Sequence, residues 1–198
     1  MIFMVNSFSY LFIKVFKNII IYIIYIMNNS LNIQDIIFDN FYTFYFHNVD
    51  ENDFTIEKFK KIGTINNMVD LSKIINTIPT ITSGMFYLMK NDVKPLWEEN
   101  IKGGFWTFKL MKKDADRIWR ILILNFVSNT ITKNSNESDL ITGISISPKI
   151  NNCIIKIWTK FNPDNTNASN ILNDILDPNS NLSILDNSTA FYKKHDQN

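Results

Sequence analysis

The chain is expected to fold as an α+β domain on an antiparallel sheet. Three observations predict this. Runs rich in aromatic and β-branched residues, with strand-like alternation, occur at both ends of the chain. Segments between them carry apolar residues at helical spacing. The regular strand–helix–strand order of a parallel sheet is absent. At 198 residues, the chain has the length of one domain with a sizeable core.

The elements follow in order. Phe38 to Val49, "FDNFYTFYFHNV", is dense in aromatics and reads as a strand. Asp50 to Asp53 is a polar turn, and "FTIEKFKKIG", from Phe54, reads as a second strand. In "INNMVDLSKIINTI", Met68, Leu71, Ile74, Ile75 and Ile78 recur at helical spacing, with Asn66 or Asn67 placed to cap. "GMFYLMK" and "GGFWTFKLM" are strands, the second opened by a Gly103–Gly104 turn where φ is free to be positive. Asp114 caps "ADRIWRILILNFV", a helix with an apolar face at Ile118, Ile121, Leu122 and Leu124. "NTITKNSNESD" is a polar loop. "ITGISIS" and "CIIKIWT" flank "PKINN" as a hairpin. "NASNILNDILD" is a short helix, and the tail after Pro178 has room for one more strand.

Hydrophobic content of 45% and charged content of 20% are ordinary for a globular protein. A formal net charge of +1 argues against a broad electrostatic grip on nucleic acid, so any anion site must be local. One cysteine, Cys153, excludes an internal disulfide and a cysteine-based metal cluster and fits a reducing compartment. No constellation for catalysis stands out. Only His47 and His195 are available as histidines, Cys153 has no base beside it in sequence, and Gly103–Gly104 lacks the Gly-Lys-Ser/Thr of a phosphate loop. No cofactor or metal is expected.

Residues 1–29 form a hydrophobic extension ahead of a domain spanning 30–198. The clean apolar run of the extension, Ile19 to Met27, is about half of the roughly 20 residues a spanning helix needs. It also lacks the basic start and small-residue cleavage site of a signal peptide. Three readings stay open: an upstream extension with Met27 as the working start, a helix lying on a membrane or on the domain, or an anchor. The first is favoured.

The rare residues of the chain gather between Asn91 and Phe108, in "NDVKPLWEENIKGGFWTF". Trp97 is followed at once by Glu98, so a flat ring stands beside a carboxylate. Such a pair can serve a base, a cation or only packing.

This stretch and its surroundings resemble the eukaryotic translation initiation factor 4E family, which binds the 7-methylguanosine cap of messenger RNA. "VKPLWEENIKGGFWTFKL" is similar to that family's Pro-x-Trp-Glu segment and the Gly-Gly-x-Trp turn after it. "DADRIWRILIL" resembles its Asp-x-Asp-x-apolar-Trp helix, and "GISISPKINNCIIKIWT" its Gly-to-Trp strand pair. "NFYTFYFH" falls where the family has an aromatic first strand. All four Trp (97, 106, 119 and 158) land on family Trp positions. The likeness runs from about Phe38 to Thr159, with a weak continuation to Lys194. It implies a curved antiparallel sheet of about eight strands, with about three helices on the convex face and the cap on the concave one.

The resemblance also implies roles. Trp97 stacks on the methylated base, Glu98 accepts from the two donors on the guanine edge, and the backbone N–H of Trp97 meets the guanine O6. Trp158 touches the N7 methyl; Trp106 and Trp119 belong to the core. Methylation at N7 makes guanine cationic, which favours an aromatic face, and a carboxylate bonds the edge more strongly than a neutral acceptor would. Three departures follow. The second stacking Trp is missing; gap-free register puts Thr55 there, and Phe54 beside it is the expected replacement, against the plain reading that Phe54 begins a strand and packs inward. The triphosphate faces Lys149 where the family has Arg, and Ile154 where it has a basic residue. Lys156, on the same strand face as Ile154 and Trp158, is placed to compensate, with Lys193 and Lys194 in the tail as further phosphate contacts. The helix face that receives a 4G scaffold or repressor is altered, with Val69, Ser72, Arg120 and Ile121 at its positions, so the partner is altered or absent. The implied function is cap binding in translation initiation, in the cytoplasm. The competing reading is a cap-fold interaction module that has lost the cap. An AT-biased composition of this kind suits a large DNA virus or an AT-rich protist.

Overall fold

The computed structural model describes residues 36–78, 80–175 and 190–197. The extension at 1–29 and most of the tail after Pro178 lie outside the described residues.

The strands are β1 (Ile37–His47), β2 (Lys60–Asn67), β3 (Met85–Lys90), β4 (Gly104–Met111), β5 (Ile141–Pro148), β6 (Asn152–Thr159) and β7 (Phe191–Lys194). They form one sheet in the order β2-β1-β3-β5-β6-β4-β7, with every pair antiparallel. The helices are α1 (Met68–Thr77), α2 (Lys112–Val127) and the single turn α3 (Ala168–Ile171). The expected α+β class is therefore observed, with seven strands among the described residues.

Period-two alternation sorts the strand residues into two faces. Phe86 and Leu88 of β3, Trp106 and Phe108 of β4, and Ile155 and Ile157 of β6 point into the main core. There they meet Leu71 and Ile74 of α1, Ile118, Trp119, Leu122 and Ile123 of α2, and Ile171 of α3. All three described α-helices therefore cover the same face. Trp106 and Trp119 are fully buried there, as expected, and the Trp106 indole N–H donates to the Thr166 carbonyl at 2.8 Å. The other face carries a smaller cluster of Phe59, Met85, Tyr87, Met89 and Trp158. No described helix covers it, and it holds the candidate site.

Local chemistry sets the element ends. The Asn67 side chain accepts from the Asp70 N–H at 2.9 Å and caps α1, while the Asp70 carboxylate accepts from Asn66 N–H at 3.2 Å. Three details differ from expectation. Asp114 does not cap α2: the cap is Met111, and Asp114 lies inside the first turn, paired with Arg117 at 2.9 Å, where it still favours the positive end of the helix dipole. The second strand begins at Lys60, because Ile56–Lys58 wind into a 3-10 turn that leaves Phe54 in a loop. Gly103 and Gly104 have no positive φ. Glycine is needed there for close approach: a Cβ on Gly103 would lie 1.8 Å from the Thr159 carbonyl oxygen, and one on Gly104 2.3 Å from that of Lys193.

Candidate functional site

The loop between β3 and β4 carries the Trp-Glu pair. Pro95 is buried, and the Asn100 side chain donates to the carbonyls of Lys94 at 3.1 Å and Leu96 at 2.5 Å. Asn100 N–H donates to the Trp97 carbonyl at 2.9 Å, and Gly103 N–H to that of Asn100 at 2.8 Å. Lys94 and Glu99 form an ion pair at 2.8 Å. These bonds brace the loop from below and leave Trp97 42% exposed, with Glu98 exposed at the start of the 3-10 turn Glu98–Asn100.

Trp97 faces a cavity of about 250 Å³ on the helix-free side of the sheet. Phe54 stands on its wall from the loop after β1, 47% exposed. Tyr87, Phe105 and Trp158 supply the floor from three strands. Trp158 is only 5% exposed; its indole N–H donates to Ser145 Oγ at 3.0 Å, and its ring meets Tyr87 edge-on. Lys156 and Lys193 complete one rim. The cavity is thus a slot for a flat aromatic group, with cations beside it.

Electrostatics follow from burial. Burial, with Lys149 and Lys193 nearby, lowers the Lys156 ammonium to about 8. His195, at the end of β7, is packed against Phe105 and Trp158 with ring centroids 5.3 and 5.1 Å away. Burial first, and then Lys156, lower its imidazole to about 4, while the Glu98 carboxylate acts in the opposite sense. The ring is accordingly neutral near neutral pH, and Glu98 lies close enough to feel it. Among the described residues, no group of three or more His, Cys, Asp or Glu is placed to hold a metal.

Of the residues singled out in the sequence, Trp97, Phe54, Trp158, Lys156 and Lys193 line one cavity. Glu98 sits beside it on the Trp97 turn. Lys149 is exposed at the head of the β5–β6 hairpin, outside the lining but near Lys156. Lys194 pairs with Gly104, one residue out of phase with the Lys193–Phe105 pair, and so belongs to the helix side of the sheet. Sequence reasoning missed Tyr87 and Phe105, which alternation opposite Leu88 and Trp106 could have placed. It also missed His195 as a wall, for which no local signal exists.

The model of one protein family, eukaryotic initiation factor 4E, matches residues 37–198. The chain belongs to that family. Among relatives, the Saccharomyces cerevisiae eukaryotic translation initiation factor 4E is 27% identical over 120 residues, covering 57% of this chain and 55% of that protein. The chain spans about half the length of the curated relatives it matches. Among solved structures, C. elegans eIF4E-3 with the 4E-binding protein Mextli superposes with a TM-score of 0.66 at 18% identity, covering 81% of this chain and 94% of that one. Ascaris suum eIF4E-3 with an m7G cap gives 0.58 at 17% identity, covering 65% and 76%. At these identities the structural neighbours establish the initiation factor 4E fold. That family is one of non-catalytic translation factors.

Proposed function

We propose that the chain binds the 7-methylguanosine cap of messenger RNA in the cavity at Trp97 and acts in translation initiation in the cytoplasm. The observation that carries this reading is one cavity lined by the exposed rings of Trp97 and Phe54 together with Tyr87, Phe105, Trp158, Lys156 and Lys193. Trp97 and Phe54 stack on the two faces of the base, each contact contributing roughly 1–3 kcal/mol. Glu98 accepts from N1–H and the exocyclic amino group of guanine. Trp158, which lines the cavity beside Tyr87 and His195, meets the N7 methyl. Lys156 and Lys193 take the phosphates, with Lys149 reaching in from the hairpin; Lys194, on the other face, contributes at longer range. The domain spans 30–198, preceded by the extension at 1–29. No described helix is long and apolar enough to cross a membrane.

C. elegans eIF4E-3 was solved with the 4E-binding protein Mextli, and the resemblance implies a protein partner for this chain on the helix face. Here Arg120 of α2 donates to the Ile75 carbonyl of α1 and ties the two helices together at that face. Ile121 is half-buried against the core beside it. A scaffold or repressor helix therefore meets an altered surface.

The test is titration with 7-methyl-GTP against GTP, together with retention on a cap-analogue resin. Tight, methyl-dependent binding is expected. Trp97→Ala and Glu98→Gln should each lose retention while melting like the parent chain. Undiminished retention in both variants would remove the site from this loop.

A further inference from the structure

Phe54 alone would be a poor wall, since a ring on an exposed loop has many positions to lose on binding. Its support is His47, the last residue of β1. The two rings are parallel within 3°, with centroids 4.5 Å apart. His47 is fully buried, and Phe59 packs against it at 4.7 Å. Its Nε2 lies 2.8 Å from the Asp53 carbonyl oxygen and its Nδ1 2.9 Å from that of Asn48. A carbonyl oxygen only accepts. The imidazole therefore satisfies both contacts as a doubly protonated ring, and one of them as a neutral ring. These contacts join the two ends of the Asn48–Asp53 turn across a single side chain.

The turn is further closed by its own polar groups. Asp50 N–H donates to the Asn48 side-chain oxygen at 3.2 Å, Thr55 N–H donates to the Asp53 carboxylate at 2.9 Å, and Glu51 pairs with Lys58 at 3.1 Å. The loop that carries Phe54 is thus held at its root by the histidine whose ring also lies flat under it.

We propose that His47 is the positioning residue of the second stacking wall: its imidazole covers the inner face of Phe54, ties the root of the loop through its contacts with the Asn48 and Asp53 carbonyls, and so presents the outer face to the bound base. The proposal rests on the cap-binding reading for its ligand. It explains how an exposed Phe can replace a larger ring. Orienting the ring beforehand removes an ordering cost that would otherwise fall on binding.

The test is a double-mutant cycle on the full chain, with 7-methyl-GTP as the probe. His47→Phe keeps a buried ring and removes both ring nitrogens. It should weaken binding about tenfold in the parent chain, within the range one stacked ring supplies, and have little effect in the Phe54→Ala background. No loss in the parent, or equal loss in both backgrounds, would overturn the role. Amide hydrogen exchange across residues 48–55, read without ligand, separates this proposal from the cap reading. Exchange there should quicken in His47→Phe. If it does and the parent binds no cap analogue, the cap reading fails while the clasp stands; if exchange is unchanged, the clasp fails. His47→Gln, which keeps an amide donor group but loses the ring, replaces His47→Phe in the cycle if the latter does not fold.

Discussion

The Lys156 ammonium lies 4.0 Å above the centre of the Phe105 ring. The two residues come from neighbouring strands on the face away from the helices, and both line the Trp97 cavity. The cation is thus held against an aromatic face rather than in water, a contact worth about 0.5–2 kcal/mol that offsets part of its burial.

This placement sets a pH dependence. Burial, then Lys149 and Lys193, bring Lys156 down to about 8 from its ordinary value of 10.5. Between those two values the unfolded chain holds a proton that the folded chain has released, so this group adds stability as pH rises through that window. Phosphate binding has the opposite sign. It needs the charged form, which is present below about 8 and lost above it. Affinity for 7-methyl-GTP should therefore fall from about pH 7 to about pH 9 more steeply in the parent chain than in Lys156→Arg, whose guanidinium stays charged. The base titrates in the same way in both proteins, so the comparison isolates Lys156. Parallel profiles would remove Lys156 from the phosphate site.

Close approach at Gly104 makes a second prediction. A Cβ there would meet the Lys193 carbonyl oxygen at 2.3 Å and the Tyr192 hydroxyl at 2.7 Å. Gly104→Ala must push β7 away from β4, at a cost of about 1–3 kcal/mol of overpacking. Because β7 brings Lys193 and His195 to the cavity, the same change should weaken binding of 7-methyl-GTP. Urea unfolding and a fluorescence titration measure the two effects. A variant of parental stability would mean that the strands part without strain.

Much of this was legible in the sequence, for identifiable reasons. Strand phase is a period-two property, so alternation along the strand is enough to put Lys156 on the face of Ile154 and Trp158. Side-chain chemistry points to a cap at Asn66 or Asn67, and Asn67 takes that place. Alternation in "FTIEKFKK" predicts a strand from Phe54, whereas the 3-10 turn at Ile56–Lys58 delays it to Lys60. The glycine pair was recognised and its reason mistaken: sequence cannot distinguish a positive φ from a carbonyl packed where a Cβ would be. Lys194 was grouped with Lys193 although adjacent residues on a strand point oppositely. His47 and His195 act through contacts with distant segments, and no local pattern encodes those.

The extension makes a third prediction. The family match and the first strand among the described residues both begin at residue 37. A chain starting at Met27 is therefore expected to melt with the same midpoint as the full chain, within about 0.5 kcal/mol of stability, the scale of changes away from packed features. Thermal melts of the two proteins check this. Aggregation or a much lower midpoint in the shorter chain would show that residues 1–26 pack as structure.

The last prediction concerns the second ring. Phe is a poorer partner than Trp for a cationic base, and Lys149 lacks the fork with which an arginine grips phosphate. The parent chain should consequently bind 7-methyl-GTP more weakly than a family member with Trp and Arg at these positions, yet still prefer it to GTP. Phe54→Trp should tighten binding by about 1 kcal/mol, since the larger ring adds stacking area and cation attraction while His47 still supports its inner face. Phe54→Ala should loosen it by roughly 1–3 kcal/mol. Quenching of Trp fluorescence on titration, with Trp97 as the reporter, measures both changes. If neither substitution alters affinity, the second wall lies elsewhere on this face, and Tyr45, half-buried on β1 beside the same cluster, is the next residue to change.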